Sequence, residues 1–122
     1  MTYNKLLIGV SGILGFLAVA FGAFGAHILK DKISADQLSI FHTGVLYHFI
    51  HAIVILILAF VNDKRFNKCA VFWGIGIILF SFSLYAYSIT QLKIFAIITP
   101  FGGVSFLFGW LLIIVVGIKK EI

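Results

Sequence analysis

Charged residues and proline are scarce in this sequence. Of its 122 residues, 11% are Asp, Glu, Lys or Arg and 62% are hydrophobic, and proline occurs once. A soluble domain of this size needs a polar surface, which so few charges cannot provide. The composition therefore excludes an ordinary water-soluble domain and predicts a protein that lies in a membrane.

Cysteine is also nearly absent, since Cys69 is the only one. A single cysteine cannot form an internal disulfide, and no Cys-x-x-Cys pair is present for redox or metal chemistry. We expect Cys69 to be a small buried side chain without a chemical role.

Long apolar segments are abundant instead. Four of them contain no Asp, Glu, Lys or Arg, and each is 18 to 25 residues long: residues 6–26, 44–61, 69–89 and 94–118. About 20 helical residues cross the roughly 30 Å hydrocarbon core of a bilayer, and backbone amides in lipid must pair internally. The sequence therefore predicts an all-α fold, a four-helix transmembrane bundle that forms a single integral membrane domain over residues 1–122. The predicted helices are 6–26, 35–61, 69–89 and 94–118.

The second predicted helix begins before its apolar segment, which covers residues 44–61. Ser34 and Gln37 have the spacing of a capping box, with serine as N-cap and glutamine at the N3 position. A helix over residues 35–61 is about 40 Å long at 1.5 Å per residue. Because this exceeds the hydrocarbon thickness, we expect the helix to tilt, to protrude or to break near Thr43 and Gly44.

The distribution of lysine and arginine predicts the orientation in the membrane. With four crossings, both termini and the 62–68 loop lie on one side, which holds six of these residues, and the other side holds three. The positive-inside rule places the richer side, and therefore both termini, in the cytoplasm. The six are Lys5, Lys64, Arg65, Lys68, Lys119 and Lys120, and the three are Lys30, Lys32 and Lys93.

The same basic flanks account for the net charge of +5 without a nucleic-acid partner. Basic residues beside membrane helices attract anionic lipid headgroups. We therefore expect membrane lipids as partners and no nucleic acid, and a homo-oligomer stays open.

Small residues recur at spacings of three or four in the first and fourth predicted helices. Such faces let helices approach closely in lipid, where hydrophobic burial drives little association. We expect both faces to pack against other helices, and we expect Pro100 to kink or begin the fourth helix because it lacks an amide hydrogen. The faces consist of Ser11, Gly15, Ala18, Gly22 and Ala26 in the first helix and of Gly102, Ser105 and Gly109 in the fourth.

The segment FHTGVLYHFIH, residues 41–51, brings polar side chains into the second helix. At 100° per residue most of them share one face, whereas His42 points to nearly the opposite side. A histidine in lipid is costly unless it is paired, so this face should point into the bundle. The face contains Gln37, Gly44, Tyr47, His48 and His51.

The other helices supply polar residues that this face can meet. Ser81, Tyr85 and Ser88 follow one another at helical spacing in the third helix, Thr99 lies near the outer end of the fourth, and His27 ends the first. We therefore predict a polar cluster in the outer half of the bundle. Its candidate ligand-binding residues are His27, Tyr47, His48, His51, Ser81, Tyr85, Ser88 and Thr99.

Such a cluster is compatible with several functions. A purely structural cluster would bond its side chains to one another and fix the helix register. A cavity with aromatic walls and few polar groups would instead bind a quinone, a lipid or another small amphiphile. Transport of ions or protons is disfavoured because the membrane segments lack carboxylates, although histidine can still titrate.

Metal and catalytic chemistry have weaker support. His48 and His51, at positions i and i+3, can share a metal ion, but no third ligand is evident. Haem would need a histidine that faces them from another helix, and His27 is the only candidate. The sequence also has no convincing nucleophile–base arrangement. We therefore expect no metal, no cofactor and no enzymatic activity.

Three motifs resemble a known family. GAFGAH at residues 22–27, FHTGVLYHFIH at 41–51 and TPFGGVSFLFGW at 99–110 are similar to motifs of the domain of unknown function 423 family, also grouped as uncharacterised protein family 0382. The resemblance implies a small bacterial inner-membrane protein with several spanning helices, and it implies no established reaction, substrate or cofactor.

The sequence as a whole predicts a multi-pass protein of the bacterial cytoplasmic membrane with a structural or interaction role. The alternative is a protein that binds a small molecule, a lipid or a quinone, or a small transporter, and that uses the outer-half polar pocket.

Overall fold

Four long helices make up the computed structural model, which describes residues 2–119. Each helix is long and apolar enough to cross a membrane, which confirms the predicted all-α, four-helix class. We label them in chain order as α1 (Lys5–Leu29), α2 (Ala35–Val61), α3 (Lys64–Thr90) and α4 (Lys93–Ile118).

Side-chain and backbone caps set several helix ends. The side chain of Asn4 accepts from the amide of Leu7 at the start of α1. Ser34 and Gln37 form the predicted capping box at the start of α2, with both hydrogen bonds at 3.1 Å. Asn62 and Gln91 end α2 and α3 in the left-handed conformation, which closes a helix by bending the chain out of its axis.

The first and third helices are longer than predicted. α1 continues beyond residue 26 to Leu29, directly before Lys30, and α3 starts with a 3-10 turn, Lys64–Phe66, before the predicted start at residue 69. Lysine and arginine side chains at a helix end can reach the headgroup region, so α3 can begin within a charged segment. α2 runs without interruption from Ala35 to Val61 and does not break near Thr43.

Two helices contain a π-helical segment. It covers Phe21–Gly25 in α1 and Ile77–Phe82 in α3. A π segment inserts an extra residue into the α-helical repeat, so it changes which side chains face a neighbour on either side of it. Both segments lie beside the buried polar side chains described below.

The helices pack in an order that leaves α1 at the edge. α1 packs mainly on α2, α2 packs on α3, and α3 packs along most of its length on α4. The amide of Asn4 donates to the carbonyl of Ala59, so the start of α1 lies beside the end of α2. The apolar core between α2, α3 and α4 is centred on Ile55, Trp73 and Phe106.

Glycines allow α3 and α4 to approach closely. A Cβ atom at Gly102 would overlap the backbone of Phe80, and one at Gly109 would overlap the indole of Trp73. The hydroxyl of Ser105, between these glycines, donates to the carbonyl of Phe72 at 2.6 Å. The predicted small-residue face of α4 therefore packs against a helix, as expected.

The small-residue face of α1 is only partly packed. Ser11, Ala18 and Ala26 are buried, and a Cβ at Gly22 would lie 3.0 Å from Val45. Nothing lies within 4 Å of a Cβ at Gly15, so its predicted packing role is wrong. Three residues turn a helix by about 300°, which puts Gly15 about 60° from Ala18, and contact with a single neighbour does not reach that far around α1.

Pro100 lies inside α4, seven residues after its start at Lys93, so it does not begin the helix. Proline has no amide hydrogen, so the α-helical bond to the carbonyl of Ala96 is missing. The neighbouring Thr99 hydroxyl donates to the carbonyl of Phe95, which supports the same turn.

We predict different effects on stability for two glycine-to-alanine substitutions. Gly102→Ala should lower the free energy of unfolding by about 1–3 kcal/mol because its methyl group overlaps the α3 backbone. Gly15→Ala should leave it unchanged or raise it, since the methyl group enters open space and alanine favours helix. Unfolding of both variants in the same detergent measures the difference. Equal midpoints for Gly102→Ala and the wild type would contradict the close approach.

Candidate functional site

His48 and Tyr85 form a buried polar pair between α2 and α3. Nδ1 of His48 lies 2.8 Å from the Tyr85 hydroxyl, and the histidine side chain is 0% exposed. Among the described residues, the hydroxyl has no other acceptor, so we assign its hydrogen to the bond with Nδ1. The ring proton of His48 then lies on Nε2.

The opposite edge of the His48 ring points away from Tyr85. The carbonyl of Leu14 in α1 lies beside the ring, but no acceptor in the described part of the chain meets Nε2 with hydrogen-bond geometry. The pair therefore joins α2 to α3 directly and touches α1 only by packing.

The two π segments surround this pair with aromatic rings. Phe21, from α1, lies 5.1 Å from the Tyr85 ring in an edge-to-face arrangement. Phe82, from α3, lies 5.4 Å from the His48 ring, also edge to face. Edge-to-face contacts are favourable for aromatic pairs and exclude water from the hydrogen bond between them. π segments occur frequently at functional sites, which makes this pair the centre of the candidate site.

His51 links α2 to α4 and uses both of its ring nitrogens. Nδ1 lies 2.7 Å from the carbonyl of Tyr47, one turn earlier in α2, and Nε2 accepts from Nε1 of Trp110 at 3.1 Å. A carbonyl can only accept and an indole can only donate, so His51 is neutral with its proton on Nδ1. Its ring also stacks on Phe106, with centroids 3.7 Å apart and an interplanar angle of 11°.

A second tryptophan lies beside this link. The ring centroid of Trp73 is 4.8 Å from that of Trp110 and 6.3 Å from that of His51. Trp73 is buried, and its Nε1 has no hydrogen-bond partner among the described residues. Of the two neighbouring indoles, therefore, only that of Trp110 donates to the histidine.

Other polar side chains form separate links between the helices. The side-chain amide of Gln37 donates to the carbonyl of Ser88 at 2.8 Å, which joins the start of α2 to the end of α3. The hydroxyls of Ser83 and Thr99 lie 2.6 Å apart and join α3 to α4. Ser81 is fully buried, and its hydroxyl has no partner in the part of the chain that the structure describes.

The eight predicted site residues are thus distributed over several links. The structure brings the side chains of His48 and Tyr85 together. Tyr47 bonds to His51 through its carbonyl, and its side chain, predicted to face the bundle, is 40% exposed. Thr99 pairs with a serine outside the predicted set. His27 is exposed at the end of α1, away from the buried pairs. Ser88 contributes its carbonyl, because its own hydroxyl donates to the carbonyl of Tyr85.

The cluster also includes a partner that the prediction did not name. His51 lies just past the midpoint of α2, and its partner Trp110 lies in the second half of α4. The prediction placed the cluster by the positions of its polar residues along each helix and did not include tryptophan as a donor. Whether any of the eight residues binds a ligand stays a prediction.

Sequence reasoning missed Trp110, Trp73 and Ser83. Tryptophan near a membrane surface is typical of an interfacial anchor, so Trp110 gave no sign that it reaches a histidine. Ser83 lies 200° from Ser81 around α3, on the opposite side of the helix. Polar residues on opposite sides of one helix were a usable signal, since they indicate a helix between two neighbours.

Four membrane-length helices joined by buried polar pairs define a small multi-pass integral membrane protein. The chain belongs to the family described as proteins of unknown function (DUF423), whose model matches residues 21–103. This confirms the resemblance carried by the three motifs, since the match begins just before GAFGAH and ends within the third motif.

Curated relatives cover nearly the whole chain. The UPF0382 membrane protein YwdK of Bacillus subtilis is 44% identical over 120 residues, which are 94% of this chain and 98% of the relative. The UPF0382 inner membrane protein YgdD of Escherichia coli K12 is 42% identical over 125 residues, 99% of this chain and 95% of the relative. No solved structure shows a significant match. The chain is a multi-pass protein of the bacterial cytoplasmic membrane, and its family has no assigned activity.

We predict a measurable coupling between His51 and Trp110. In a double-mutant cycle with His51→Leu and Trp110→Phe, the coupling should be about 0.6 kcal/mol, the average for membrane hydrogen bonds, and should not exceed about 1.7 kcal/mol. Unfolding of the four proteins in detergent measures it. The matched control is Trp73→Phe, which removes an N–H that has no partner among the described residues and should couple with His51 through packing alone. Equal coupling in both cycles would show that the Trp110 hydrogen bond adds nothing.

Proposed function

We propose that this protein is a non-enzymatic structural or interaction protein of the membrane, in which the buried polar pairs hold the helices together. The observation that carries this proposal is the use of both ring nitrogens of His51 in links to the Tyr47 carbonyl and the Trp110 indole. A histidine engaged in this way has no lone pair left for a metal ion and no free nitrogen for proton transfer.

The His48 pair supports the same role. Its Nδ1 lone pair accepts from Tyr85, and its other nitrogen then carries the ring proton. A metal ligand or a general base would first have to give up the hydrogen bond that joins α2 to α3. In a low-dielectric interior that loss leaves a buried polar group unpaired, which opposes such a rearrangement.

Substitutions at the two histidines test the structural role. His48→Leu should lower the stability of the protein in detergent, since it leaves the Tyr85 hydroxyl without an acceptor, whereas His48→Asn should retain more of it because its amide can replace the ring nitrogen. Elemental analysis and visible spectroscopy of the purified protein provide the independent readout. Stoichiometric zinc, copper or haem that is lost on His51→Ala would overturn the proposal.

We also propose that both termini and the turn after α2 face the cytoplasm. The turn carries Lys64, Arg65 and, just after it, Lys68, whereas the opposite end has Lys30, Lys32 and Lys93. Lys5 and Lys119 lie at the first of these ends, and Lys120, which belongs to the same count, lies outside the described residues.

Labelling of introduced cysteines tests this orientation. In intact cells, a membrane-impermeant maleimide should modify Lys32→Cys and should modify Lys64→Cys only after permeabilisation. The native Cys69 is 0% exposed, so the unmodified protein serves as a background with little labelling. Labelling of Lys64→Cys in intact cells, with Lys32→Cys protected, would reverse the orientation.

A further inference from the structure

An open apolar groove of about 560 Å³ runs between α1 and α2 on the outside of the bundle. A Cβ atom at Gly12 or Gly15 would meet nothing within 4 Å, so the missing side chains of these glycines leave space on the α1 side of the groove. Its lining runs from Ser11 to Phe24 on α1 and from Phe49 to Leu56 on α2, and it includes Gly12, Gly15 and Phe16.

The α1 side of this groove leads to a lysine. Lys5, Gly9, Gly12 and Phe16 follow one another at spacings of four, three and four residues and therefore share one face of the helix. A Cβ at Gly9 would also meet nothing within 4 Å, so this open surface continues from Gly12 towards Lys5. From Lys5 to Phe16 the helix rises about 16 Å, which is close to half of a roughly 30 Å hydrocarbon core.

Positive charge is concentrated at the end where Lys5 lies. The exposed side chains of Lys5, Lys64, Lys68 and Lys119 are at this end, which we call the lysine end. Its carboxylate among the described residues is Asp63, which forms an ion pair with Arg65 at 2.7 Å. Hydrogen bonds from Arg65 hold the pKa of Asp63 below its usual range, so this carboxylate is already charged and paired.

The other end of the bundle has no comparable excess. Its three lysines are accompanied by two aspartates, Asp31 and Asp36. The groove begins at Ser11, about 9 Å along α1 from Lys5, and Lys5 has no ion-pair partner among the described residues. This arrangement is complementary to a molecule with an anionic head at the lysine end and a hydrocarbon tail along α1.

We propose that the groove holds an acyl chain of an anionic phospholipid whose headgroup lies at Lys5. The glycines give the chain room beside α1, and the lysine end attracts the phosphate. A second copy of this protein in the same orientation would instead bring two lysine ends together, which like-charge repulsion disfavours. This inference is independent of the role proposed for the buried histidines.

Native mass spectrometry tests the proposal with a defined probe. The purified protein is equilibrated in detergent micelles that contain equal amounts of phosphatidylglycerol and phosphatidylcholine. The wild type should retain one molecule of phosphatidylglycerol in preference to phosphatidylcholine. Lys5→Gln should weaken this preference about fivefold, the effect expected of one lysine at a lipid surface. Gly15→Leu should lower phosphatidylglycerol occupancy at least fivefold, because its side chain enters the groove.

Matched variants control for changes in folding and in overall charge. Gly117→Leu also adds a leucine in open space but on α4, and Lys93→Gln removes a lysine from the opposite end, so both should bind as the wild type does. Thermal unfolding should show that Gly15→Leu is folded. Equal retention of the two lipids by the wild type, or full retention by Gly15→Leu, would overturn the proposal. A wild-type dimer that Gly15→Leu dissociates would identify a second copy as the occupant and would overturn it too.

Discussion

The close approach of α3 and α4 at glycine positions is the contact on which the rest of the structure depends. Lipid tails are as apolar as leucine, so burying apolar surface gains little between helices, and association relies on dispersion contacts and hydrogen bonds at short range. Gly102 lets α4 reach the backbone of α3 at Phe80, and Gly109 lets it reach Trp73. This approach positions Phe106 and Trp110 of α4 where they can contact His51 of α2.

Once α3 and α4 are joined, α2 is held by directional bonds along its length. Gln37, His48 and His51 each contact a neighbouring helix at a different depth, and together they fix both the rotation and the vertical register of α2. A helix that slides by one turn would leave several of these groups unpaired in lipid, where an unpaired polar group is costly. Among the described residues, no side chain of α1 donates to or accepts from another helix, since the hydroxyl of Ser11 donates to the carbonyl of Ile8 in its own helix.

The sequence was sufficient for features that depend on local pattern. Uncharged length predicted the four helices, Ser34 and Gln37 predicted the start of α2, and helical spacing predicted that His48 and His51 would be buried while His42 is exposed. Features that depend on distant residues were not predictable in this way. The π segments have no local signature and depend on the packing around them, and the bond from Trp110 to His51 joins residues 59 positions apart.

The limit of prediction from sequence is clearest for glycine, because glycine has opposite roles in α1 and α4. In α4 its missing side chain is replaced by atoms of α3, so it brings protein to protein. In α1, a Cβ at Gly9, Gly12 or Gly15 would meet no atom of the described residues within 4 Å, so the same missing side chain leaves an open surface. Both helices have small residues at spacings of three or four, so the spacing alone does not separate the two roles. Each helix packs on one main neighbour, but Gly102 and Gly109 of α4 face α3, whereas a Cβ at Gly9, Gly12 or Gly15 of α1 would meet no atom of α2 within 4 Å.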